Sequence, residues 1–121
     1  MWTDPYARER GHPLMTSEIA EKIPPCGAHD DTDVEQLNDM IPYVSFFSTT
    51  SDWKWHILEW NPDTGMCNGL VEGTYTEWGP FELTELAGRT ARHIGETLPE
   101  IRRYRHKKPI TFGKIQKAAT P

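Results

Sequence analysis

Trp53-Lys54-Trp55-His56-Ile57-Leu58-Glu59-Trp60 leads through Asn61-Pro62-Asp63-Thr64-Gly65 into Met66-Cys67-Asn68-Gly69-Leu70-Val71-Glu72. The outer pieces are rich in aromatic and branched residues, which fit a pleated, half-buried surface. The piece between them is a turn: Pro62 presets φ, Asp63 offers a side-chain turn bond, and Gly65 supplies a positive φ. The three pieces predict a β-hairpin. In its first strand Trp53, Trp55 and Ile57 point to one face and Lys54, His56, Leu58 and Trp60 to the other. Neither set is purely polar, so this strand is expected at the centre of a sheet.

The pattern extends outward in both directions. Upstream, residues 43–47 (Tyr43 to Phe47) read as a strand, joined to the hairpin by the polar turn Ser48-Thr49-Thr50-Ser51-Asp52. Downstream, a bend at residues 73–77 leads into a short strand over residues 78–82. Pro80 cannot donate to a ladder and confines that strand to an edge or a bulge. Nine of the thirteen aromatic residues, with four of the five tryptophans, lie between Tyr43 and Phe81. Around this centre the expectations are local. Residues 1–15 read as an irregular lead-in broken by Pro5, Gly11 and Pro13. Residues 16–22 read as a short helix capped by Thr16 or Ser17 and stopped by Pro24-Pro25. One helical turn is expected at Val34-Glu35-Gln36-Leu37, and a helix from Thr84 that runs on toward Ile94 despite Gly88. A last strand is expected at Ile110-Thr111-Phe112. The fold class is α+β: a single domain over 1–121, with a small antiparallel meander of four to five strands flanked by short helices.

Charge divides the chain of 121 residues unevenly. Residues 1–88 carry a net charge of −12, and the basic C-terminal segment, residues 89–121, carries +7. Within the first stretch, residues 16–88 make the acidic core with the aromatic sheet. Such asymmetry points to a basic tail that meets nucleic acid, an acidic body that meets a basic protein, or a tail that neutralises the body. Apolar runs are far shorter than the ~20 residues of a membrane span, and Met1 to Pro5 lacks the basic-then-apolar pattern of a secretory signal. A cytoplasmic protein is expected, with no membrane partner. Cys26 and Cys67 are expected as reduced thiols rather than a disulfide.

Candidate chemistry is sparse. Cys26-Gly27-Ala28-His29 has ligand-like spacing, but a structural zinc site needs a second pair; His56 stands alone on its strand, so no metal and no cofactor are expected. Glu59 and Glu72 are the carboxylates expected to face one another across the hairpin, the arrangement a small hydrolase with paired glutamates needs. Opposed like charges repel, which favours structural partners such as Lys54 or a tail arginine. No catalytic motif of the Gly-x-Ser-x-Gly, phosphate-loop or His-Glu-x-x-His kind is present. Two surfaces remain. Asp30, Asp31, Asp33, Glu35 and Asp39 form a negative run, suited to a basic protein surface. Arg102, Arg103, Tyr104, Arg105, Lys107 and Lys108 form a basic cluster with an aromatic inside it, suited to phosphates and a stacked base.

Residues 19–25, Val44 to Phe47, Trp53-Lys54-Trp55, Glu59, Gly69-Leu70-Val71-Glu72-Gly73 and residues 77–86 resemble a small family encoded by phages, plasmids and integrated elements, described as a domain of unknown function. The resemblance runs from about residue 16 to 112. Trp78 and Pro80 stand where the family has Leu and Tyr, and Arg102-Arg103-Tyr104 with Thr111-Phe112 echoes its Arg-Asp pair and aromatic strand only loosely. The resemblance implies a mobile-element origin and brings no catalytic residues; family members often neighbour transfer and antirestriction genes. Together these observations lead to a non-enzymatic accessory protein, expected to inhibit a host nucleic-acid-processing defence complex through its acidic surface. Direct nucleic-acid binding by the basic segment is the alternative, and the paired-glutamate hydrolase is the third reading.

Overall fold

The computed structural model describes all residues except Ile94, Arg105, Lys107, Thr120 and Pro121, and the side chain of His93. In chain order the elements are α1 (Ala7–Arg10), α2 (Ser17–Ala20), α3 (Val34–Asn38), β1 (Ser45–Ser48), β2 (Lys54–Trp60), β3 (Met66–Glu72), β4 (Thr76–Glu82), α4 (Leu83–Gly88), β5 (Thr90–His93), β6 (Glu96–Pro99), β7 (Ile101–Tyr104) and α5 (Phe112–Ala119). Five strands form one antiparallel sheet in the order β4-β3-β2-β1-β7, and β5 and β6 pair in a separate hairpin. The α+β meander predicted from the sequence is therefore present, with β2 at its centre and the strand of Pro80 at an edge. The turn after β2 also forms with Gly65 at φ +81°. Its side-chain acceptor is Asn61 rather than Asp63: the Asp63 amide donates to Asn61 Oδ1 at 2.9 Å.

β2 and β3 do not pair evenly. Lys54 to Ile57 face Glu72 to Gly69, but Glu59 and Trp60 face Asn68 and Cys67, so Leu58 is an extra, bulged residue. A bulge reverses the alternation beyond it. Trp60, expected opposite Trp55 and Ile57, instead joins them in the same apolar core, while Leu58 packs with Leu70, Phe112 and Ile115 on the other side. Gly69 sits beside this bulge because nothing larger fits: a β-carbon there lies 1.9 Å from the His56 carbonyl oxygen.

The first face of the sheet carries the larger core, in which Phe46, Trp55, Ile57, Trp60 and Ile101 meet Trp2, Leu14, Ile19, Leu83 and Leu86. Residues 1–15, expected as an irregular lead-in, include the helical turn α1 and contribute Trp2, Leu14 and Met15 to this core. Arg10 ties the segment down: its guanidinium donates to the Ile101 carbonyl at 2.6 Å and pairs with the Asp4 carboxylate, both side chains being wholly buried. α2 is capped by Thr16, whose hydroxyl accepts from the Ile19 amide.

The second face is covered by α3 and α5, which pack together. Here the strand expected at residues 110–112 is corrected. Phe112 begins a helix, and its amide donates to the Met40 carbonyl at 2.9 Å. Phe112 and Ile115 lie three apart, which puts both on one helical face, and both are buried. The last strand of the sheet is Ile101–Tyr104 instead, paired with β1. The helix from Thr84 also stops earlier than expected, at Gly88, and the chain turns into β5.

Candidate functional site

Two carboxylates on the β2–β3 hairpin, Glu59 buried and Glu72 half-buried, organise the polar chemistry, and the register separates them. Glu72 is opposite Lys54 at the far end of the hairpin, whereas Glu59 is opposite Asn68 near its turn. The expectation that they face one another is thus corrected, because the bulge and the hairpin register give each its own partners.

Glu59 reaches the acidic loop. Its two oxygens accept from the Gly27 amide at 3.0 Å, the His29 amide at 2.7 Å, His29 Nδ1 at 2.9 Å and Asn68 Nδ2 at 2.9 Å. An ionised carboxylate only accepts, so His29 Nδ1 carries the donated proton. Burial alone raises the Glu59 carboxyl, but the bonds from Asn68, Gly27 and His29 outweigh it and hold the group below the ordinary carboxylate range. His29 is therefore spent on Glu59, and the Cys26 thiol approaches the Met66 carbonyl. Both cysteines are free thiols. Among the described residues no cluster of three His, Cys, Asp or Glu side chains is arranged to hold a metal ion. Asp30, Asp31, Asp33, Glu35 and Asp39 are all exposed along this loop and α3. Beside them lies a cleft of about 330 Å³ whose lining includes Asp30, Val34, Asn68 and Trp78. The buried Trp78 Nε1 has no hydrogen-bond partner among the described residues.

Glu72 belongs to a different chain of groups. Ser45 is directly opposite His56 in the β1–β2 ladder and opposite Tyr104 in the β1–β7 ladder. Ser45 Oγ lies 2.6 Å from His56 Nδ1, and His56 Nε2 lies 2.7 Å from Glu72 Oε2. His56 is 0% exposed and Ser45 2%. The hydrogen bond from His56 is the main reason the Glu72 carboxyl is held low, with the Lys54 charge adding to it. The carboxylate only accepts, so His56 Nε2 donates to it; in the neutral form of the imidazole Nδ1 is then left to accept the Ser45 proton. Tyr104 stands edge-on to His56 and to His106, at centroid distances of 6.4 and 5.0 Å. Its hydroxyl is buried without a well-aligned partner among the described residues, and Ser45 is the polar side chain reaching toward it. Burial and the Glu72 charge push that hydroxyl up to about 12. Ser45, Tyr104 and His106 line a cleft of about 470 Å³ whose other walls include Ile41, Pro42 and Ile110.

The basic cluster is placed as follows. Arg102 donates to the Arg10 carbonyl at 3.1 Å and Arg103 to the Pro13 carbonyl at 2.7 Å, so both guanidinium groups brace the N-terminal segment. Tyr104 is partly buried in the cluster just described, and Lys108 is exposed. Arg105 and Lys107 lie outside the described residues. No helix among the described residues is long and apolar enough to cross a membrane.

The Ser45–His56–Glu72 chain was not anticipated from the sequence, although its signal was present. A hairpin centred on Asp63 sets His56 opposite Leu70 and diagonal to Glu72, within reach of a long side chain. No family model, curated protein or solved structure matches this chain. Function therefore rests on the side chains themselves.

Proposed function

We propose that the protein acts by binding, presenting the 26–33 loop and α3 as an acidic surface to the basic face of a nucleic-acid-processing protein. The observation that carries this reading is the Glu59 clamp, which holds the loop by hydrogen bonds to Gly27 and His29 while the aspartates stay exposed. A surface already ordered before contact loses less conformational entropy on binding. Carboxylates on such a surface attract a partner that normally holds phosphates and speed the encounter. The adjoining cleft, lined in part by Asp30, Val34 and Trp78, extends this surface. The finer reading is a mobile-element protein that inhibits a host defence complex in the bacterial cytoplasm; it draws on the family resemblance.

The test is capture from bacterial lysate with and without nuclease, using the wild-type chain, a triple charge reversal (Asp30→Lys, Asp31→Lys, Asp33→Lys), and Glu59→Gln. A protein retained after nuclease, lost with the charge reversal and weakened by Glu59→Gln, supports the surface. Retention unaffected by the charge reversal overturns it. Capture that disappears with nuclease and falls steeply with salt assigns binding to nucleic acid through the basic segment instead.

A further inference from the structure

The cleft beside β1 brings together groups that the binding surface does not use. Ser45 Oγ is 2.6 Å from His56 Nδ1, and His56 Nε2 is 2.7 Å from the Glu72 carboxylate. These separations give the hydroxyl a base and give the base an orienting carboxylate, the relation that makes a serine nucleophilic. The imidazole is turned relative to the familiar triad, with Nδ1 rather than Nε2 toward the hydroxyl. Either ring nitrogen can accept, so the roles survive the rotation. Most buried donors are paired, and an unpaired one calls for an explanation. Here the Tyr104 hydroxyl is buried, lacks a well-aligned partner, and belongs to the residue opposite Ser45 in the ladder. An acceptor that forms only during a reaction would satisfy it.

We propose that Ser45, His56, Glu72 and Tyr104 form a serine-esterase site whose substrates are small neutral esters with short apolar acyl groups. The cleft of about 470 Å³ is of ligand size, and Ile41, Pro42 and Ile110 give it apolar walls. Ser45 Oγ attacks the ester carbonyl carbon, and the hydroxyl proton passes to His56 Nδ1. Glu72 holds the resulting imidazolium through Nε2–H. The carbonyl oxygen becomes an oxyanion and accepts from the Tyr104 hydroxyl. Collapse breaks the bond to the alkoxy group, which leaves as the alcohol with the proton from His56. Water then attacks the acyl-Ser45 ester, giving its proton to His56. As the acyl–Oγ bond breaks, His56 returns that proton to Ser45 Oγ, which releases the carboxylic acid and restores the hydroxyl. Ser45 acts as nucleophile, His56 as general base and acid, Tyr104 as oxyanion donor, and Glu72 as the positioning residue.

The full-length chain is treated with an alkyl fluorophosphonate, which forms a Ser Oγ–P bond as fluoride leaves, and is assayed separately with p-nitrophenyl butyrate. One phosphonyl adduct at Ser45, located by peptide mass spectrometry, is the expected result, with ester turnover reduced at least about 100-fold in Ser45→Ala, the low end of the loss for a key catalytic group. Tyr104→Phe keeps its ring and removes only the hydroxyl. It should leave the melting temperature unchanged and lower kcat about 10²–10³-fold, as loss of one oxyanion donor does. An unlabelled wild-type chain, an adduct elsewhere, or a Tyr104→Phe chain that turns over ester at the wild-type rate overturns the assignment. The labelling needs no variant, so its outcome does not depend on whether a substitution folds.

Discussion

On the first face of the sheet Phe46, Trp55, Ile57 and Trp60 pack into one apolar core; on the second, Leu58 and Leu70, packed under Phe112, share the strands with Ser45, His56 and Glu59. Both faces bury side chains, the first more completely than the second. They differ in what an error costs. An apolar face loses transfer energy and leaves a cavity when a side chain is trimmed. A polar face loses hydrogen-bond partners and strands groups that water can no longer reach. Stability is concentrated on the first face and the chemistry on the second, although they are two sides of the same strands.

The largest effect that tests this contrast is truncation on the first face. Trp60→Ala should cost about 3–5 kcal/mol, measured by urea unfolding; that is a large share of the ~5–15 kcal/mol of a typical domain. A cost equal to that of a surface residue would remove the distinction between the faces. On the second face, Glu59→Gln should cost less, about 1.5–3 kcal/mol, the range for hydrogen bonds to a charged group. Its signature is local: hydrogen-exchange protection at the Gly27 and His29 amides should drop while β1 amides keep theirs. Loss spread evenly through the sheet would mean that Glu59 holds the core rather than the loop.

The smallest effect is the pH response. Burial lowers His106 and His12, helped by the His56 and Lys54 charges at one and by Arg102 and Arg103 at the other, although the Pro13 carbonyl works against it at His12. A histidine lowered by folding favours the neutral form, so its contribution is complete above the ordinary value of ~6.5 and declines as pH falls below it. Glu59 and Glu72 are lowered carboxylates, so their stabilisation is complete above ~4.3 and is lost as pH falls further. The melting temperature should therefore decline in two stages on acidification. The second stage should vanish in a Glu59→Gln, Glu72→Gln double variant.

The sheet was legible wherever local chemistry decides structure. Aromatic and branched residues marked β1 to β4, and Asn61 to Gly65 marked the hairpin turn. Legibility failed where one residue changes the phase: the bulge at Leu58 moved Trp60 to the opposite face, and no propensity signals a bulge whose close approach leaves room only for Gly69 across the ladder. It failed again at Phe112, where three β-prone residues outweighed the helical spacing of Phe112 and Ile115. At the site, the exposed aspartates could be read as a run, but their clamp by Glu59 depends on a loop returning to the sheet. The Ser45–His56–Glu72 chain is assembled from three strands, and sequence distance hides it until both hairpin registers are set.

The strand order also says something about how the protein is made. β1 is complete by Ser48, yet one of its two edges is filled only by Ile101–Tyr104. At a ribosomal pace of ~5–20 residues per second, that edge waits roughly 3–10 s for its neighbour. An unpaired strand bearing Phe46 and Phe47 is an invitation to stick to other nascent chains. Almost all the acidic excess has emerged by then, since residues 1–88 carry −12. Mutual repulsion between unfinished copies protects the open edge until the basic segment arrives to close it.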